Sequence, residues 1–157
     1  MRNLAKGRTV VVCDGDQTSL AAFCIHLAKM GIDPDRMICT SSIKDALDCA
    51  RDIKPDIVFM DMYVDTQPGY SLCSVLNSAN YMNVPVVLMA FPEKGIGPLR
   101  GVAMRGRGFI TKPVQLLPLQ NKLTKIFREV DLERSLSVID ETLDCCATSK
   151  IEDVCHG

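Results

Sequence analysis

Five short segments that are almost wholly apolar alternate along this chain with segments of helical periodicity. The apolar segments are residues 9–13, 37–39, 57–60, 84–90 and 108–111. A strand that is apolar on both faces is buried on both faces, which happens when helices cover both sides of a parallel sheet. The alternation therefore predicts a doubly wound α/β fold with five strands and five helices.

Local signals mark the ends of the predicted helices. Gly31 stops the first helix, and Ser42 with Asp45 forms a capping-box pattern at the start of the second. Pro68 and Gly69 are typical of a turn. The remaining signals place a third helix around residues 72–76, a fourth at about 98–105 and a fifth that opens near residue 118.

Size and charge exclude several classes of protein. A chain of 157 residues is one domain, or one domain with an appendage. The net charge of −1 does not favour nucleic acid as a partner. The longest apolar run, residues 86–91, is far below the roughly 20 residues of a membrane span, and we expect neither a signal peptide nor a membrane partner. Five of the eight cysteines lie in apolar patterns and are predicted to be small core residues: Cys13, Cys24, Cys39, Cys49 and Cys73. Because the cysteines follow no disulfide spacing, we expect a reducing cytoplasm.

The last residues of the chain differ from the rest. They are acidic, and their apolar residues follow a 4-3-4-3 spacing: Leu132, Leu136, Ile139, Leu143 and Cys146. Two heptads are too few to establish a coiled coil, so two interpretations stay open: a stub or helix folded back on the domain, or a seam for a helical partner. We divide the chain into an N-terminal extension (1–7), a domain (8–129) and an acidic helical tail or linker (130–157).

Charged residues stand where the predicted strands end. Asp14 follows the first strand, Asp61 the third and Lys112 the fifth, with Asp16 two residues beyond Asp14. Ligands of open α/β sheets bind beyond the carboxyl ends of the strands. Grouped carboxylates repel one another unless a cation joins them, and Mg²⁺ is bound by a few carboxylates with waters and phosphate oxygens. The sequence thus predicts a Mg²⁺ site, with a lysine suited to a phosphoryl oxygen.

These segments together resemble the receiver domains of response regulators. The segment 10–16 resembles the strand-one acidic pair of that family, and the segment 54–62 resembles its phosphoacceptor strand, with Gly69 as the loop glycine. The segment 83–90 resembles its fourth strand, and the segment 108–113 resembles its closing Lys-Pro motif. The resemblance covers roughly residues 8–129. It implies a flavodoxin-like fold with strand order 2-1-3-4-5, followed here by a C-terminal helical extension.

The resemblance also implies roles for individual residues. Asp61 would accept a phosphoryl group from a histidine kinase or phosphotransfer protein, and Lys112 would pair with the phosphoryl oxygens. Mg²⁺ would be held by Asp61, by Asp14 or Asp16 and by the backbone carbonyl of Tyr63. The chain would be a cytoplasmic signalling switch and not an enzyme, either alone or attached to an output module.

Further residues carry the expected switch. Phe109 lies at the position of the family's aromatic switch, and the bond before Pro113 is usually cis in this family. A homodimer would form through the C-terminal helix or through the face of the fourth helix, fifth strand and fifth helix.

Two positions depart from the family pattern. Gly15 stands in place of the usual second acid, and Asp16 is its nearest replacement. Ala90 replaces a Ser or Thr whose hydroxyl normally bonds the phosphoryl group. The alternative is therefore an interaction module of receiver type that works without phosphate. A metal-dependent phosphohydrolase or a nucleotide-binding α/β enzyme is a third hypothesis, opposed by the lack of a general acid beside Asp61.

Four weaker signals have ordinary explanations. Residues 95–101 resemble a dinucleotide-binding glycine loop with the wrong spacing. The cluster Arg100, Arg105 and Arg107 is expected at a solvated surface, and the tail group Cys145, Cys146, Cys155 and His156 matches no standard zinc spacing. His26 is predicted to be an ordinary surface residue.

Overall fold

A five-stranded parallel sheet forms the centre of the molecule. The computed structural model describes residues 2–64, 67–69, 84–92 and 108–152, of which 2–3, 67 and 140–152 are described as backbone alone. The strands of the sheet are β1 (Val10–Cys13), β2 (Met37–Thr40), β3 (Ile57–Asp61), β6 (Val86–Ala90) and β7 (Phe109–Thr111). They are ordered β2-β1-β3-β6-β7. Counting these five strands alone, the order is 2-1-3-4-5, so the predicted fold and topology are confirmed.

Two apolar layers cover the sheet. Alternate residues of each strand face opposite sides, so Val10 and Val12 face one layer and Val11 and Cys13 the other. The first layer contains α2 (Gln17–Lys29) and the first half of α4 (Leu116–Glu152), and the second contains α3 (Ile43–Ile53). A short α1 (Arg2–Ala5) adds Ala5 to the first layer, and a 3₁₀ turn (Pro34–Arg36) leads into β2.

Polar caps fix where the helices start. The Asp16 side chain accepts hydrogen bonds from the Thr18 and Ser19 N–H groups at the start of α2. The Ser42 side chain caps α3 by accepting from the Asp45 N–H, as the capping pattern predicts. Lys54 ends α3 in the left-handed region at φ 52°.

The loop after β3 contains a small hairpin that the sequence did not predict. Strand β4 (Tyr63–Val64) pairs antiparallel with β5 (Gln67–Pro68), so Pro68 lies in a short strand and not in a simple turn. Gly69 follows, and a Cβ at this position would lie 2.1 Å from the Asp61 carbonyl oxygen. A side chain is therefore excluded at Gly69 by its close approach to the Asp61 backbone.

Helix α4 is a single helix of 37 residues, about 55 Å long. It buries Leu119, Leu123, Phe127 and Val130 against the sheet, and its next turns are exposed. The helix therefore continues without a break past residue 130, where the predicted tail begins.

An ion-pair cluster ties α4 to the amino edge of the sheet. The buried Asp56, just before β3, accepts hydrogen bonds from Arg8 Nη1 at 2.9 Å, Arg134 Nη1 at 2.8 Å and the Thr9 N–H at 2.9 Å. Arg8 also pairs with Asp131 on α4. Because Arg8 and Arg134 share one carboxylate, the N-terminal segment, β3 and α4 meet at this cluster.

Some predicted features differ or lie elsewhere. Cys13 is buried, but Cys24 and Cys49 are only half-buried and Cys39 is exposed, since β2 is an edge strand. His26 is half-buried, and its Nδ1 atom is buried without a hydrogen-bond partner within the described part of the chain. The predicted third and fourth helices, the glycine loop, the arginine cluster, Cys73 and the tail cysteines with His156 lie outside the residues or side chains described. No described helix combines the length and apolar character that a membrane span needs.

Candidate functional site at the carboxyl edge of the sheet

Three charged side chains from three strands meet at the carboxyl edge of the sheet. Asp14 follows β1, Asp61 is the last residue of β3, and Lys112 follows β7. Lys112 Nζ lies 2.7 Å from Asp14 Oδ2 and 2.6 Å from Asp61 Oδ2. Parallel strands deliver their carboxyl ends to one edge, and this brings residues as distant in sequence as 14 and 112 into contact.

Asp14 is the more enclosed of the two carboxylates. Its Oδ1 accepts from the Asp16 N–H at 3.0 Å, and its Oδ2 accepts from the Ser19 hydroxyl at 2.8 Å as well as from Lys112. Burial would raise the pKa of Asp14, but the hydrogen bonds from Lys112, the Asp16 N–H and Ser19 outweigh it and hold the pKa below its ordinary value. Asp14 is therefore a fixed carboxylate, with both oxygens already engaged.

Asp61 is the more accessible carboxylate. Its side chain is 16% exposed, against 1% for Asp14. Its Oδ2 accepts from Lys112, whereas its Oδ1 has a longer contact of 3.4 Å with the Tyr63 N–H. Burial raises the pKa of Asp61 above its ordinary value, with a contribution from the charge of Asp14, although Lys112 opposes the shift. Oδ1 is thus the carboxylate oxygen best placed to meet a ligand from solvent.

Lys112 is a buried cation held by both acids. Burial would lower the pKa of Lys112, but hydrogen bonds to Asp14 and Asp61 raise it above its ordinary value. The Phe91 ring adds a cation–π contact, with its centroid 5.0 Å from Nζ. The Lys112 N–H donates to the Ala90 carbonyl over 2.8 Å, and the peptide bond between Lys112 and Pro113 is cis. The ammonium group thus keeps its charge at the point where the two carboxylates meet.

Asp16 does not join this cluster. We expected it as a possible metal ligand, but its carboxylate oxygen caps α2 through the Thr18 and Ser19 N–H groups. Only its backbone N–H reaches the site, through Asp14. Within the described residues, no group of three Asp, Glu, His or Cys side chains could hold a metal ion. In this structure the Asp16 side chain caps α2 through its Oδ1 atom, and its role as a metal ligand stays a prediction.

The two switch positions differ in burial. Ala90 ends β6 in a buried position and brings only its backbone to the site, through the bond from the Lys112 N–H. Phe109 begins β7, is partly buried and packs against the apolar layer beside α3.

Two residues contact the cluster although no sequence motif predicts them. Ser19 and Phe91 touch the cluster, but neither lies in a charged motif. Phe91 could have been suspected because it directly follows a predicted strand, whereas nothing in the sequence singles out Ser19.

Two carboxylates remain as candidate ligands for a cation. The charges of Asp14, Asp61 and Lys112 sum to −1, which favours binding of a further positive charge. Mg²⁺ is commonly held by one or two carboxylates with several waters, and these two hard oxygen donors fit that pattern. The donor set therefore fits Mg²⁺ with two protein carboxylates.

Comparison with known proteins establishes the fold. No family model matches the chain. The chain is similar to the signal receiver domain of a modulated diguanylate cyclase from Desulfovibrio desulfuricans G20, with a TM-score of 0.68 and 19% identity over 80% of this chain and 98% of that one. A putative response regulator from Chloroflexus aurantiacus J-10-fl has a TM-score of 0.69 at 19% identity, covering 78% of this chain and 99% of that one. The receiver domain of a histidine kinase from Syntrophus aciditrophicus has a TM-score of 0.68 at 18% identity, covering 79% and 92%.

These similarities agree with the resemblance found in the sequence. Each of the three solved structures is nearly covered from end to end by this chain. The chain has the fold of receiver domains, the flavodoxin-like fold that the sequence motifs predict.

Proposed function

We propose that this chain is a response-regulator receiver in which Asp61 accepts a phosphoryl group with Mg²⁺ bound. A histidine kinase or phosphotransfer protein would be the donor, and the phosphorylated chain would act on a partner or on an output domain. The observation that carries the proposal is the double contact of Lys112 Nζ with Asp14 and Asp61 at the carboxyl edge of a receiver-type sheet.

Accessibility supports Asp61, rather than Asp14, as the acceptor. Asp14 has both oxygens engaged and almost no exposed surface, whereas Asp61 is partly open and has one weakly bonded oxygen. Gly69 supports this arrangement, because its missing side chain lets the following loop lie against the Asp61 carbonyl. Asp61 is thus the residue that a phosphorylated donor can approach.

The transfer step follows from this geometry. Asp61 Oδ1 attacks phosphorus and forms an acyl phosphate, while the P–N bond of a donor phosphohistidine breaks and the imidazole takes up a proton. Lys112 is fixed beside the acceptor, where its charge can stabilise the phosphoryl oxygens. Asp14, Asp61 and the Tyr63 carbonyl would hold Mg²⁺, which supplies charge neutralisation to the transferring group when bound.

Ala90 sets a limit on the response to phosphate. A Ser or Thr hydroxyl at this position would donate to a phosphoryl oxygen, and the methyl group of Ala90 cannot. A hydrogen bond to a charged group contributes roughly 1.5–3 kcal/mol. We therefore expect phosphorylation at Asp61 to move the surrounding loops less than in a receiver that has the hydroxyl.

Phosphodonor labelling tests the proposal. Incubation with acetyl phosphate and Mg²⁺ should add one phosphoryl group, detected by intact mass, and Asp61→Asn should abolish the addition. Asp52→Asn is the matched control, because Asp52 is an exposed carboxylate remote from the site. If Asp61→Asn is labelled like the parent chain, or if the parent is not labelled at all, the proposal fails and an interaction module that works without phosphate becomes the better explanation.

The exposed part of α4 is the surface that we propose for self-association. Leu132, Leu136 and Ile139 are each more than half exposed. Their spacing continues in the sequence with Leu143 and Cys146, as in the seam between two helices. Exposed leucines in register along one helix favour a second copy of the same helix as the partner, because the seam is complementary to itself.

Sedimentation velocity tests this surface. The chain should form a dimer, and Leu136→Asp should shift it to monomer. Val138→Asp is the matched control, since Val138 is 62% exposed but lies outside the 4-3 spacing. Equal effects of the two substitutions, or a monomeric parent chain, would exclude the seam.

A further inference from the structure

Two cysteines from different elements contact each other at the edge of the sheet. Cys24 lies on α2 and Cys39 on the edge strand β2. Met37 of β2 packs into the apolar layer that contains α2, and the two-residue period of a strand puts Cys39 on the same side. Strand β2 and helix α2 thus bring together two thiols that are 15 residues apart in the sequence.

The separation of the two sulfur atoms places them close to bonding. Cys24 Sγ and Cys39 Sγ are 2.7 Å apart. Non-bonded heavy atoms normally remain about 3.5–4.0 Å apart, and a disulfide bond measures about 2.05 Å. The two sulfur atoms are thus less than 1 Å farther apart than in a disulfide bond.

We propose that Cys24 and Cys39 form a dithiol modification site that hydroperoxides oxidise to a reversible disulfide. The proposal does not depend on phosphorylation at Asp61. Both cysteines have free thiols in this structure, so both are available for oxidation.

The environments of the two thiols fix the order of the steps. Cys39 is exposed and meets the oxidant first, whereas Cys24 is half-buried. Burial, and then the neighbouring Cys39, raise the pKa of Cys24 to about 12, so its thiol stays protonated at neutral pH. Cys39 is therefore the thiol that reacts with peroxide, and Cys24 is the resolving thiol.

The chemistry balances in two steps. The Cys39 thiolate attacks one oxygen of hydrogen peroxide, the O–O bond breaks, and sulfenic acid and hydroxide form. The Cys24 sulfur then attacks the Cys39 sulfur, the S–O bond breaks, and the hydroxyl leaves as water with the Cys24 proton. Peroxide is reduced by two electrons, and the two thiols are oxidised by two electrons.

The other described cysteines lack this arrangement. Cys13 is fully buried in β1, and Cys49 lies on α3, across the sheet from α2. Both are therefore placed away from the edge of the sheet where Cys24 and Cys39 meet. Oxidation of the folded chain should therefore select one pair, and the product would fasten α2 to the edge strand.

Peptide mapping of the full chain tests the proposal. The reduced protein is exposed to hydrogen peroxide, free thiols are blocked with N-ethylmaleimide, and tryptic peptides are analysed by mass. Peptide 9–29 should appear joined to peptide 37–44 with the loss of two hydrogens, and fragment ions should place the link at Cys24 rather than Cys13. Dithiothreitol should restore both peptides.

Single variants make the result decisive. In Cys24→Ser, the oxidation of Cys39 should stop at sulfenic acid, which dimedone traps. Cys39→Ser should remove the link and leave the folded chain intact, because Cys39 is exposed. Cys49→Ser is the matched control and should retain the link. If Cys39 remains unlinked in the parent chain, or joins Cys49 as readily as Cys24, the proposal is overturned. A parent chain denatured in urea should lose the preference for Cys24.

Discussion

Arg134 on α4 donates a hydrogen bond to Asp56 Oδ1 over 2.8 Å, and the same oxygen accepts from Arg8. The contact joins the helix that leaves the domain to the buried start of β3. The two partners differ in their surroundings, because the Arg134 side chain is 57% exposed and the Asp56 side chain is buried. Removing Asp56 should therefore lower the free energy of unfolding by a different amount from removing Arg134.

Asp56→Ala should lower the free energy of unfolding by about 3 kcal/mol, because it removes the buried carboxylate that Arg8 and Arg134 share and leaves the half-buried Arg8 with only the half-exposed Asp131. Arg134→Ala should cost only about 0.5–1 kcal/mol, since solvent screens an exposed partner. Urea unfolding measures both. Asp52→Ala, at an exposed acid, is the control for loss of a carboxylate, and equal losses at Asp56 and Arg134 would contradict this account.

The Asp56 carboxylate should make the free energy of unfolding depend on pH in the acid range. Burial would raise the pKa of Asp56, but hydrogen bonds from the Thr9 N–H, Arg8 and Arg134 outweigh it and lower the pKa. A depressed pKa stabilises the folded chain above the unfolded value of about 3.9, and this contribution is lost as pH falls through the folded pKa.

Unfolding of the parent chain and Asp56→Asn should be compared as pH is lowered from neutral. The difference in unfolding free energy between the two should stay constant down to about pH 4 and shrink below it. A difference that grows in acid would reverse the assigned sign. The comparison cancels the opposite contribution of Asp61, whose pKa is raised.

Gly69→Ala should damage the site through the backbone. The added Cβ would meet the Asp61 carbonyl oxygen at 2.1 Å, so the loop must move and should cost about 1–3 kcal/mol of stability. Labelling at Asp61 should fall as well. Gly7→Ala is the control, because Gly7 has open space around it and only its φ of 78° opposes a side chain. That variant should lose some stability but keep full labelling.

Ala90→Ser should strengthen the hold on a phosphoryl group. One added hydrogen bond to a charged oxygen should increase affinity for beryllofluoride, a phosphoryl mimic, by about tenfold. Titration calorimetry with Mg²⁺ present measures this change. Ala50→Ser, at a buried position on α3, is the control that shows whether a hydroxyl buried elsewhere changes the affinity. Unchanged affinity in Ala90→Ser would show that Ala90 does not limit the site.

The sequence predicted the parallel sheet because the strands are apolar on both faces, and it placed Asp14, Asp61 and Lys112 at their ends. It did not show that Asp16 caps α2, because a capping aspartate and a metal-binding aspartate look alike before the start of the helix is fixed. It also divided α4 at residue 130. The helix continues there although its buried face ends. The pairing of Cys24 with Cys39 depends on the packing of α2 against β2, which no local pattern encodes.

Beryllofluoride binding with Mg²⁺ tests the central claim most directly. The account predicts one saturable site that requires Mg²⁺, disappears in Asp61→Asn and is weakened at least tenfold in Lys112→Ala, which removes a charged partner. Asp52→Asn should bind like the parent chain. Absence of binding, or binding that survives Asp61→Asn unchanged, would contradict the assignment of Asp61 as the phosphoryl acceptor.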